Sequence, residues 1–400
     1  MENKPSISLC MIVKNEEKFI AQCLSSVEEL VDEMIIVDTG STDNTIQICK
    51  QFNAKVLEIP WENNFSAARN YGIQQAQGNW ILWLDADEEL EQKELAPLYP
   101  FFNNPKYKLL NVQLINYYGD HVDENQTISI GQPRFFRNEG HIKFNNAIHE
   151  ALEINGVRDY AEQLKLTGEL PIKLFHYGYL DEIIESRNKH ERNIELLKKE
   201  LEEDSNPWTP YHIAVEYYRM KDYEKAMQYV NDSILLFLVS QQLPHSMVYK
   251  LKYSIFITIG ATDKAWPGIN KAIQMYPDYV DLHFYKAMIL YSSTEFKDAL
   301  ASFKQCIKLG ENNRKYLITK GLGSFQAWYY KGRCLEQLGE VDEAIQAYHE
   351  ALTLHPGYTS AQERITALEQ KQDSQEVHDT VPSALPYEKE QTETSQQQMN

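Results

Sequence analysis

The 400-residue sequence predicts an α/β domain followed by an all-α repeat domain. Two observations support this prediction. Between residues 7 and 90, short apolar runs alternate with segments of helical periodicity, which indicates a mainly parallel sheet covered by helices on both faces. After about residue 205 the pattern is purely helical and has a period of 34 residues, which is typical of stacked helix pairs.

Four apolar runs predict the parallel strands of the first domain, namely ISLCMIV (7–13), EMIIVD (33–38), KVLEIP (55–60) and NWILWLD (79–85). The first run is apolar almost throughout, which predicts a strand buried on both faces. Helical segments lie between the runs. Later, less regular runs are expected to add a mixed edge that completes the sheet; they are KLLNVQLIN, QPRFFRN, HIKF and PIKLFHYG.

Composition and charge exclude several classes of protein. A formal net charge of -19 argues against non-specific nucleic-acid binding, which needs a basic surface. The five cysteines form no CxxC pair, so we expect buried free thiols in a reducing compartment. The sequence has no apolar run of membrane-spanning length, and its first residues do not resemble a signal peptide. We therefore expect a cytoplasmic protein without a membrane span.

The helical half predicts four repeats with short flanking segments. The repeat at 325–358 resembles the tetratricopeptide pattern, and weaker matches at 207–240, 246–279 and 280–313 precede it. The predicted organisation is a catalytic domain at 1–186, a connecting helix at 187–206, the repeats at 207–369 and a disordered polar tail at 370–400.

A cluster of carboxylates follows the fourth apolar run. Asp85 and Asp87 flank Ala86, and Glu88 and Glu89 come directly after. Like charges at this spacing repel, so the cluster is either a solvated strand end or a site for a positive partner. We interpret Glu88 and Glu89 as the first turn of a helix. Because ligands bind beyond the carboxyl ends of parallel strands, Asp85 is expected to face the same crevice as Asp38, which ends the second run.

Three segments resemble the family 2 glycosyltransferases of the A-type nucleotide-sugar fold. They are SLCMIVKNEEKFIAQCLSSV, EMIIVDTGSTDNT and FSAARNYGIQQAQGNWILWLDADEEL, and they occur in the family's order between residues 8 and 90. The resemblance implies an inverting transfer from a nucleotide diphosphate sugar, most commonly a UDP-sugar. It also implies a divalent cation, Mg²⁺ or Mn²⁺, which neutralises the diphosphate leaving group.

The resemblance also assigns roles to single residues. It implies that Asp38 contacts the nucleobase, Arg69 the base and phosphates, Asp85 the ribose, and Asp87 the metal. Thr39 stands where the family has a second acid. Lys14 replaces a usual aromatic residue, so base stacking is not carried over to that position. The alternative for Arg69 is an ordinary surface salt bridge.

An inverting displacement also needs a group that accepts the proton of the acceptor. The IHE segment resembles the His-Glu of a subgroup that includes bacterial peptide S-glycosyltransferases, which makes Glu150 the candidate base. Its alternative is a salt-bridged acid at a strand end, with the base then at Asp120 or Asp123. His176 is a candidate metal ligand, and His149 a candidate metal or phosphate contact; each has a structural histidine as its alternative.

The prediction for function is transfer of a hexose to a Cys or Ser of a peptide or protein acceptor that the repeats help to hold. The layout resembles the bacteriocin peptide S-glycosyltransferases. One alternative is a glycan- or lipid-acceptor transferase of cell-envelope synthesis. Another is a catalytically inactive repeat scaffold for protein–protein interaction. A homodimer is possible.

Overall fold

The computed structural model describes residues 4–157, 160–180, 189–203 and 205–379. The strands are β1 (Ile7–Val13), β2 (Glu33–Asp38), β3 (Lys55–Glu58), β4 (Trp80–Trp83), β5 (Glu88–Leu90), β6 (Leu109–Gly119), β7 (Thr127–Arg137), β8 (Ile142–Asn145), β9 (Ala151–Ile154), β10 (Thr167–Leu180) and β11 (Ile318–Thr319). The helices of the first domain are α1 (Ile20–Val27), α2 (Thr45–Gln51), α3 (Phe65–Ile73), α4 (Tyr99–Asn103) and α5 (Tyr160–Lys165), with a 3₁₀ turn at Ala96–Leu98.

The remaining helices form the connecting segment and the repeats. They are α6 (Lys189–Glu203), α7 (Trp208–Arg219), α8 (Tyr223–Val239), α9 (Ser246–Thr258), α10 (Thr262–Ala265), α11 (Ile269–Met275), α12 (Val280–Ser292), α13 (Phe296–Leu309), α14 (Phe325–Leu338), α15 (Val341–Leu354) and α16 (Thr359–Asp379). No helix within these described ranges combines the length and apolar character needed to cross a bilayer.

The first domain is built on one nine-stranded sheet with the order β3-β2-β1-β4-β7-β6-β10-β5, and β11 pairs with β7. Strands β3, β2, β1 and β4 run parallel. From β7 onward the sheet is mixed, because β7 is antiparallel to both β4 and β6. The predicted fold class, a mainly parallel sheet followed by a helical repeat domain, is confirmed.

Both faces of the central strands are buried, as the apolar runs predict. Leu9 and Met11 of β1 pack in one hydrophobic core together with Leu24 of α1. Cys10 faces the opposite side, where its core includes Phe144 of β8. All five cysteines of the chain are buried free thiols. Since each buried aliphatic side chain contributes about 1.5–3 kcal/mol, these two layers stabilise the strands that carry the site.

Two sequence predictions in this domain are wrong. Glu88 and Glu89 do not open a helix; they lie in β5, where Glu88 pairs with His176 of β10. HIKF does not join the main sheet, because within the described residues β8 pairs with β9 in a separate two-stranded sheet. The helix prediction for these acidic residues is wrong because Glu88 is buried beside Arg134, and this partner is distant in sequence.

The repeat helices pack through small residues, as the tetratricopeptide pattern requires. A Cβ atom added to Gly332 of α14 would lie 2.6 Å from the ring of Tyr348 of α15, so only glycine fits there. Helix α16 continues to Asp379, so the predicted disordered tail at 370–400 begins with helical residues. Its remainder, 380–400, lies outside the described residues, as do the first residues of the predicted 187–206 connection.

The segment between α13 and α14 joins the repeats to the sheet. β7 is longer than β4, and the part of β7 beyond β4 pairs instead with β11 at Ser129 and Ile128. The backbone N–H of Gly131 donates to the Arg314 carbonyl at 2.8 Å, and the Arg314 guanidinium donates to the Leu170 carbonyl at 2.9 Å. The repeats are therefore attached to the sheet by strand addition.

A buried ion pair supports this attachment from the repeat side. Lys250 of α9 pairs with Asp281 of α12, and its Nζ also donates to the Leu317 carbonyl at 2.8 Å and to Thr319 Oγ1 at 2.6 Å. The backbone N–H of Thr319 donates to Asp281 Oδ2 at 3.2 Å. The pair thus holds the strand β11 that enters the sheet.

Candidate functional site

Polar side chains converge where the parallel strands end. We use "strand-end site" for the group formed by Asp38, Arg69, Asp85, Asp87, Glu150 and His176. Asp38 closes β2, and its Oδ2 accepts hydrogen bonds from the backbone N–H groups of Gly40 and Ser41, both at 2.9 Å. Asp38 Oδ1 is buried without a hydrogen-bond partner among the described residues. An unsatisfied buried acceptor costs about 1–3 kcal/mol, so this oxygen has an acceptor position that a further donor could fill.

Arg69 of α3 connects two carboxylates. Its Nη2 donates to Asp85 Oδ1 and its Nε to Glu150 Oε1, each at 2.6 Å. The side chain is 5% exposed and its guanidinium lies 4.7 Å from the centre of the Trp83 ring. The alternative of an ordinary surface salt bridge is therefore wrong for Arg69. Its Nη1 is buried without a partner among the described residues, so the cation keeps one donor for a further acceptor.

Asp85 is held as a carboxylate. Partial desolvation would raise the pKa of Asp85, but the guanidinium groups of Arg69 and Arg134 hold it well below its usual range. The side chain is 41% exposed, so the carboxylate reaches the crevice as well as Arg69. An ionised, partly exposed carboxylate can accept hydrogen bonds from ligand hydroxyl groups.

Asp87 and His176 come together because β5 directly follows Asp87 and pairs with β10. His176 Nε2 lies 3.6 Å from Asp87 Oδ1. His176 Nδ1 lies 2.8 Å from Asn116 Oδ1, which can only accept, so Nδ1 is the donor of this hydrogen bond and Nε2 faces Asp87. A Cβ atom on Gly178 would lie 2.5 Å from Asp87 Oδ2 and 2.6 Å from His176 Nε2. Glycine thus keeps the space beside these two side chains open.

The pair of Asp87 and His176 suits a divalent cation that shares its coordination with a ligand. In the described part of the chain no group of three or more acidic, His or Cys side chains is arranged to enclose a metal. Two protein ligands would leave several coordination positions for phosphate oxygens and water, which is how Mg²⁺ is commonly held in phosphate sites. The residues present therefore fit a substrate-shared metal.

A buried pair that the sequence analysis missed lies beneath the aspartates. Arg134 is the extra residue of a bulge in β7, since the partners on β6 pass from Phe135 directly to Pro133. Its guanidinium pairs with Glu88 and lies 3.8 Å from the centre of the Trp83 ring. Burial raises the pKa of Glu88 to about 8, against the opposing effect of Arg134. A proline inside a strand pattern is a signal for a bulge, and bulges often redirect a side chain near a site.

Glu88 fixes the backbone at the start of the acidic loop. Its Oε2 accepts a hydrogen bond from the backbone N–H of Asp85 at 2.9 Å. Two of the four clustered acids therefore have structural roles that do not involve a metal. Glu88 orients the loop. Glu89 accepts hydrogen bonds from Tyr177 at 2.7 Å and from Gln22 at 2.5 Å.

Of the three remaining candidates, one lies in the strand-end site and two lie elsewhere. Glu150 lies within the strand-end site, where it is the ion-pair partner of Arg69; its role as a base stays a prediction. His149 packs instead on the repeat domain, where its ring stacks on that of His212 with centroids 3.9 Å apart. Asp120, an alternative base, is 84% exposed and pairs with His121.

A mainly parallel sheet with this set of strand-end carboxylates defines the class of A-type nucleotide-sugar folds. Residues 8–162 match the family described as Glycosyl transferase family 2, and residues 325–358 match the Tetratricopeptide repeat. The match to the glycosyltransferase family thus falls on the first domain, and the match to one tetratricopeptide repeat falls on helices α14 and α15.

Several curated proteins are similar to the chain. A TPR repeat-containing protein of Synechococcus elongatus is 35% identical over 188 residues, which are 46% of this chain and 45% of that protein. Glycosyltransferase SunS of Bacillus phage SPbeta is 30% identical over 240 residues, 58% of this chain and 53% of SunS. The chain thus spans about half the length of these two relatives.

Among solved structures, similarity is low. Glucosyl-3-phosphoglycerate synthase from Mycobacterium tuberculosis, solved with Mn²⁺ and uridine-diphosphate-glucose, is 23% identical with a TM-score of 0.24, covering 28% of this chain and 44% of that one. YrrB, a TPR protein with an unusual peptide-binding site, is 16% identical with a TM-score of 0.37, covering 46% of this chain and 86% of that one.

Proposed function

We propose that the protein is an inverting glycosyltransferase that moves a hexose from a nucleotide diphosphate sugar, with UDP as the favoured nucleotide, to a Cys or Ser of a peptide or protein. The observation that carries the proposal is that two pairs of oppositely charged or polar side chains lie at the same edge of the sheet. Asp85 is paired with Arg69, and Asp87 lies 3.6 Å from His176 across the β5–β10 pairing.

The donor nucleotide would be held by polar groups that can still donate or accept a hydrogen bond. Asp38 Oδ1, buried without a partner among the described residues, would accept the N–H of the nucleobase. The partly exposed carboxylate of Asp85 would accept from the ribose hydroxyl groups. Arg69 Nη1 would donate to the nucleotide. Each assignment matches an acceptor or donor in the protein with its complement in the ligand.

Asp87 and His176 would hold a divalent cation, Mg²⁺ or Mn²⁺. When bound, such a cation neutralises the charge that develops on the diphosphate leaving group. Asn116 would keep the His176 imidazole in the tautomer that presents Nε2, and Gly178 would keep the space beside it open. The chemistry and spacing of these side chains support the proposal.

Glu150 is the proposed general base. In a single displacement the acceptor sulfur or oxygen forms the new bond to the anomeric carbon as its proton passes to the Glu150 carboxylate. The bond from that carbon to the phosphate oxygen breaks on the opposite face, and its electron pair leaves with the nucleotide. Arg69 holds Glu150 through one oxygen, Oε1, and thereby orients the second oxygen.

A peptide acceptor is supported by the repeats and by the similarity to SunS. Stacked helix pairs present extended surfaces on which a peptide can lie. A glycan or lipid acceptor remains the alternative for this enzyme. The inactive-scaffold alternative is disfavoured, because an unused site has no need to keep the buried Asp38 and Arg69 with unsatisfied polar atoms.

The test is a donor screen by hydrolysis on the full chain. UDP-glucose, UDP-galactose, UDP-N-acetylglucosamine and GDP-mannose are each incubated with Mn²⁺, with Mg²⁺ or with excess chelator, and released nucleotide is measured. We expect release of UDP from at least one donor, only with metal, and loss of release in Asp87→Ala. Asp120→Ala is the matched control, because Asp120 is exposed. Full release in chelator, or in a folded Asp87→Ala variant, contradicts the mechanism.

A further inference from the structure

One face of helix α7, which belongs to the first repeat, lies against the first domain. His212, Glu216 and Arg219 share this face, because residues three, four and seven apart lie on one side of an α-helix. Glu216 is 1% exposed and lies 3.7 Å from Arg219. The two outer members of this set each contact a residue next to the strand-end site.

The first contact leads toward Glu150. The His212 ring stacks on the His149 ring with centroids 3.9 Å apart and planes 5° from parallel, and the Trp208 ring also stacks near His212, with centroids 6.2 Å apart. His149 has a φ of 50°, in the left-handed region that residues other than glycine seldom adopt. The stack therefore holds an unfavourable backbone conformation directly before Glu150.

The position of Glu150 affects Asp85, because Arg69 binds both side chains. Glu150 accepts from Arg69, and Arg69 donates to Asp85. His212 is thus connected to Asp85 by a continuous series of contacts. Burial lowers the pKa of both His149 and His212, so the two rings stack as neutral imidazoles without charge repulsion.

The second contact leads toward Asp87. The guanidinium of Arg219 lies 4.4 Å from the centre of the Tyr179 ring, in cation–π geometry. Tyr179 in turn packs edge-to-face on the His176 ring, with centroids 4.7 Å apart. Arg219 therefore holds the end of β10 that carries His176 and Gly178.

We propose that helix α7 of the first repeat is a structural part of the donor site, with His212 as a positioning residue for Glu150 and Arg219 as a positioning residue for His176. The functional consequence rests on the proposed function. The repeats would then do more than hold an acceptor, because movement of α7 would change donor binding and donor binding would in turn change the preferred position of α7.

Hydrogen exchange on the ligand-free full chain tests the structural half of the proposal. Arg219→Ala is expected to speed exchange of the amides of residues 173–180, and His212→Ala that of residues 147–152. Met220→Ala is the matched control, since Met220 neighbours Arg219 and is 43% exposed. Unchanged exchange in both variants overturns the proposal.

Binding of Mn²⁺ in the presence of UDP, measured by electron paramagnetic resonance, tests the Arg219 arm. Arg219→Ala should weaken Mn²⁺ binding by roughly twofold to fivefold, because a cation–π contact between partly exposed groups is of that size. Arg219→Lys keeps a cation over Tyr179 and should recover most of the affinity. Wild-type Mn²⁺ affinity in Arg219→Ala overturns this arm. A wild-type chain that binds no Mn²⁺ with UDP contradicts the proposed function instead, and hydrogen exchange still decides the role of α7.

Steady-state kinetics of glycosyl transfer test the positioning role of His212. His212→Ala should lower kcat by roughly tenfold or more with a much smaller change in KM for the donor, because Glu150 acts in the transfer step. His212→Phe keeps a flat ring against His149 and should restore kcat. A wild-type kcat in His212→Ala, or no recovery in His212→Phe, overturns the role of the stack.

Discussion

Arg69 and Glu150 form a buried ion pair in which Nε lies 2.6 Å from Oε1. The same guanidinium holds Asp85, so the candidate base and the candidate ribose contact share one cation. Removing one partner of a buried ion pair costs about 3–5 kcal/mol of stability, because the remaining charge is left uncompensated. A truncation of Glu150 would therefore damage the site as well as remove a base, and a substitution of the same shape is required.

Glu150→Gln should keep donor affinity and lose transfer to a hydroxyl acceptor by roughly two to four orders of magnitude, because it removes a proton acceptor and little volume. Transfer to a thiol should fall less, since part of a thiol is already ionised at neutral pH. Single-turnover transfer to matched Ser and Cys peptides measures both. Glu153→Gln is the control, because Glu153 lies on β9 and is exposed. Unchanged transfer to Ser would move the base elsewhere, with Asp120 or Asp123 as the alternatives.

Asp38→Asn should weaken UDP binding by roughly tenfold to a hundredfold, which corresponds to the loss of a hydrogen bond to a charged group. The substitution keeps the shape of the side chain and an oxygen for the Gly40 and Ser41 amides. Isothermal titration calorimetry with UDP gives the affinity, and circular dichroism establishes that the variant is folded. An affinity equal to that of the wild type would show that Asp38 does not contact the nucleotide.

Gly178→Ala should abolish metal-dependent nucleotide binding without unfolding the protein. The added Cβ atom would lie 2.5 Å from Asp87 Oδ2 and 2.6 Å from His176 Nε2, so these side chains must move apart. Mn²⁺ titration of the UDP-saturated protein measures the effect. Gly357→Ala is the control, because the nearest atom to its added Cβ atom is 3.5 Å away. Normal Mn²⁺ binding in Gly178→Ala would contradict a metal site between these two side chains.

Lys250→Met should lower the free energy of unfolding by about 3–5 kcal/mol, because it leaves Asp281 charged and buried. It should also loosen the attachment of β11, since Lys250 binds the Leu317 carbonyl and Thr319. Urea denaturation gives the free energy. Lys252→Met, which removes only a hydrogen bond to Asn231 at the surface, should cost less than about 1 kcal/mol. Equal effects of the two substitutions would refute the role of the buried pair.

Acid should destabilise the packing around helix α7, where His212 stacks on His149 and Trp208 contacts His245. Burial lowers the pKa of His149 and His212, and lowers that of His245 to about 4. The unfolded chain binds these protons near pH 6.5 and the folded chain does not, so stability is full above about pH 6.5 and falls as the pH drops toward 4. For His245 alone the loss is on the order of 2–4 kcal/mol.

Thermal melts between pH 7.5 and 4.5 measure this pH dependence. His245→Asn is the informative variant, because asparagine can still accept the hydrogen bond that His245 accepts from the Met247 amide but cannot titrate. It should flatten the decline in acid. A decline identical to that of the wild type would assign the acid sensitivity to other groups.

The sequence was a good guide wherever the signal is local. Apolar runs predict β1, β2 and β4 because strands buried on both faces need little else, and the strand ends then bring Asp38 and Asp85 to one edge. His176 needed more than local reasoning. Only the pairing of β5 with β10 explains why it meets Asp87, and no pattern within either segment predicts that register.

The residues whose roles the sequence does not predict all depend on contacts with distant parts of the chain. Glu88 was assigned to a helix because acids favour a first turn, whereas its partner Arg134 becomes visible only when β7 is placed beside β4. His212 and Arg219 look like ordinary members of a repeat helix. Their contacts with His149 and Tyr179 depend on how the repeats pack on the first domain, which no pattern within the helix predicts.

The late position of β11 has a consequence for synthesis of the chain. Ile318 pairs with Ser129, so part of the β7 edge has no partner while the ribosome is still adding the first repeats. An unpaired strand edge readily captures other strands, and pairings between distant residues form slowly. The nascent protein is therefore most prone to aggregate in the interval between completion of β10 and emergence of residues beyond Thr319, and a chaperone that shields this edge would act in that interval.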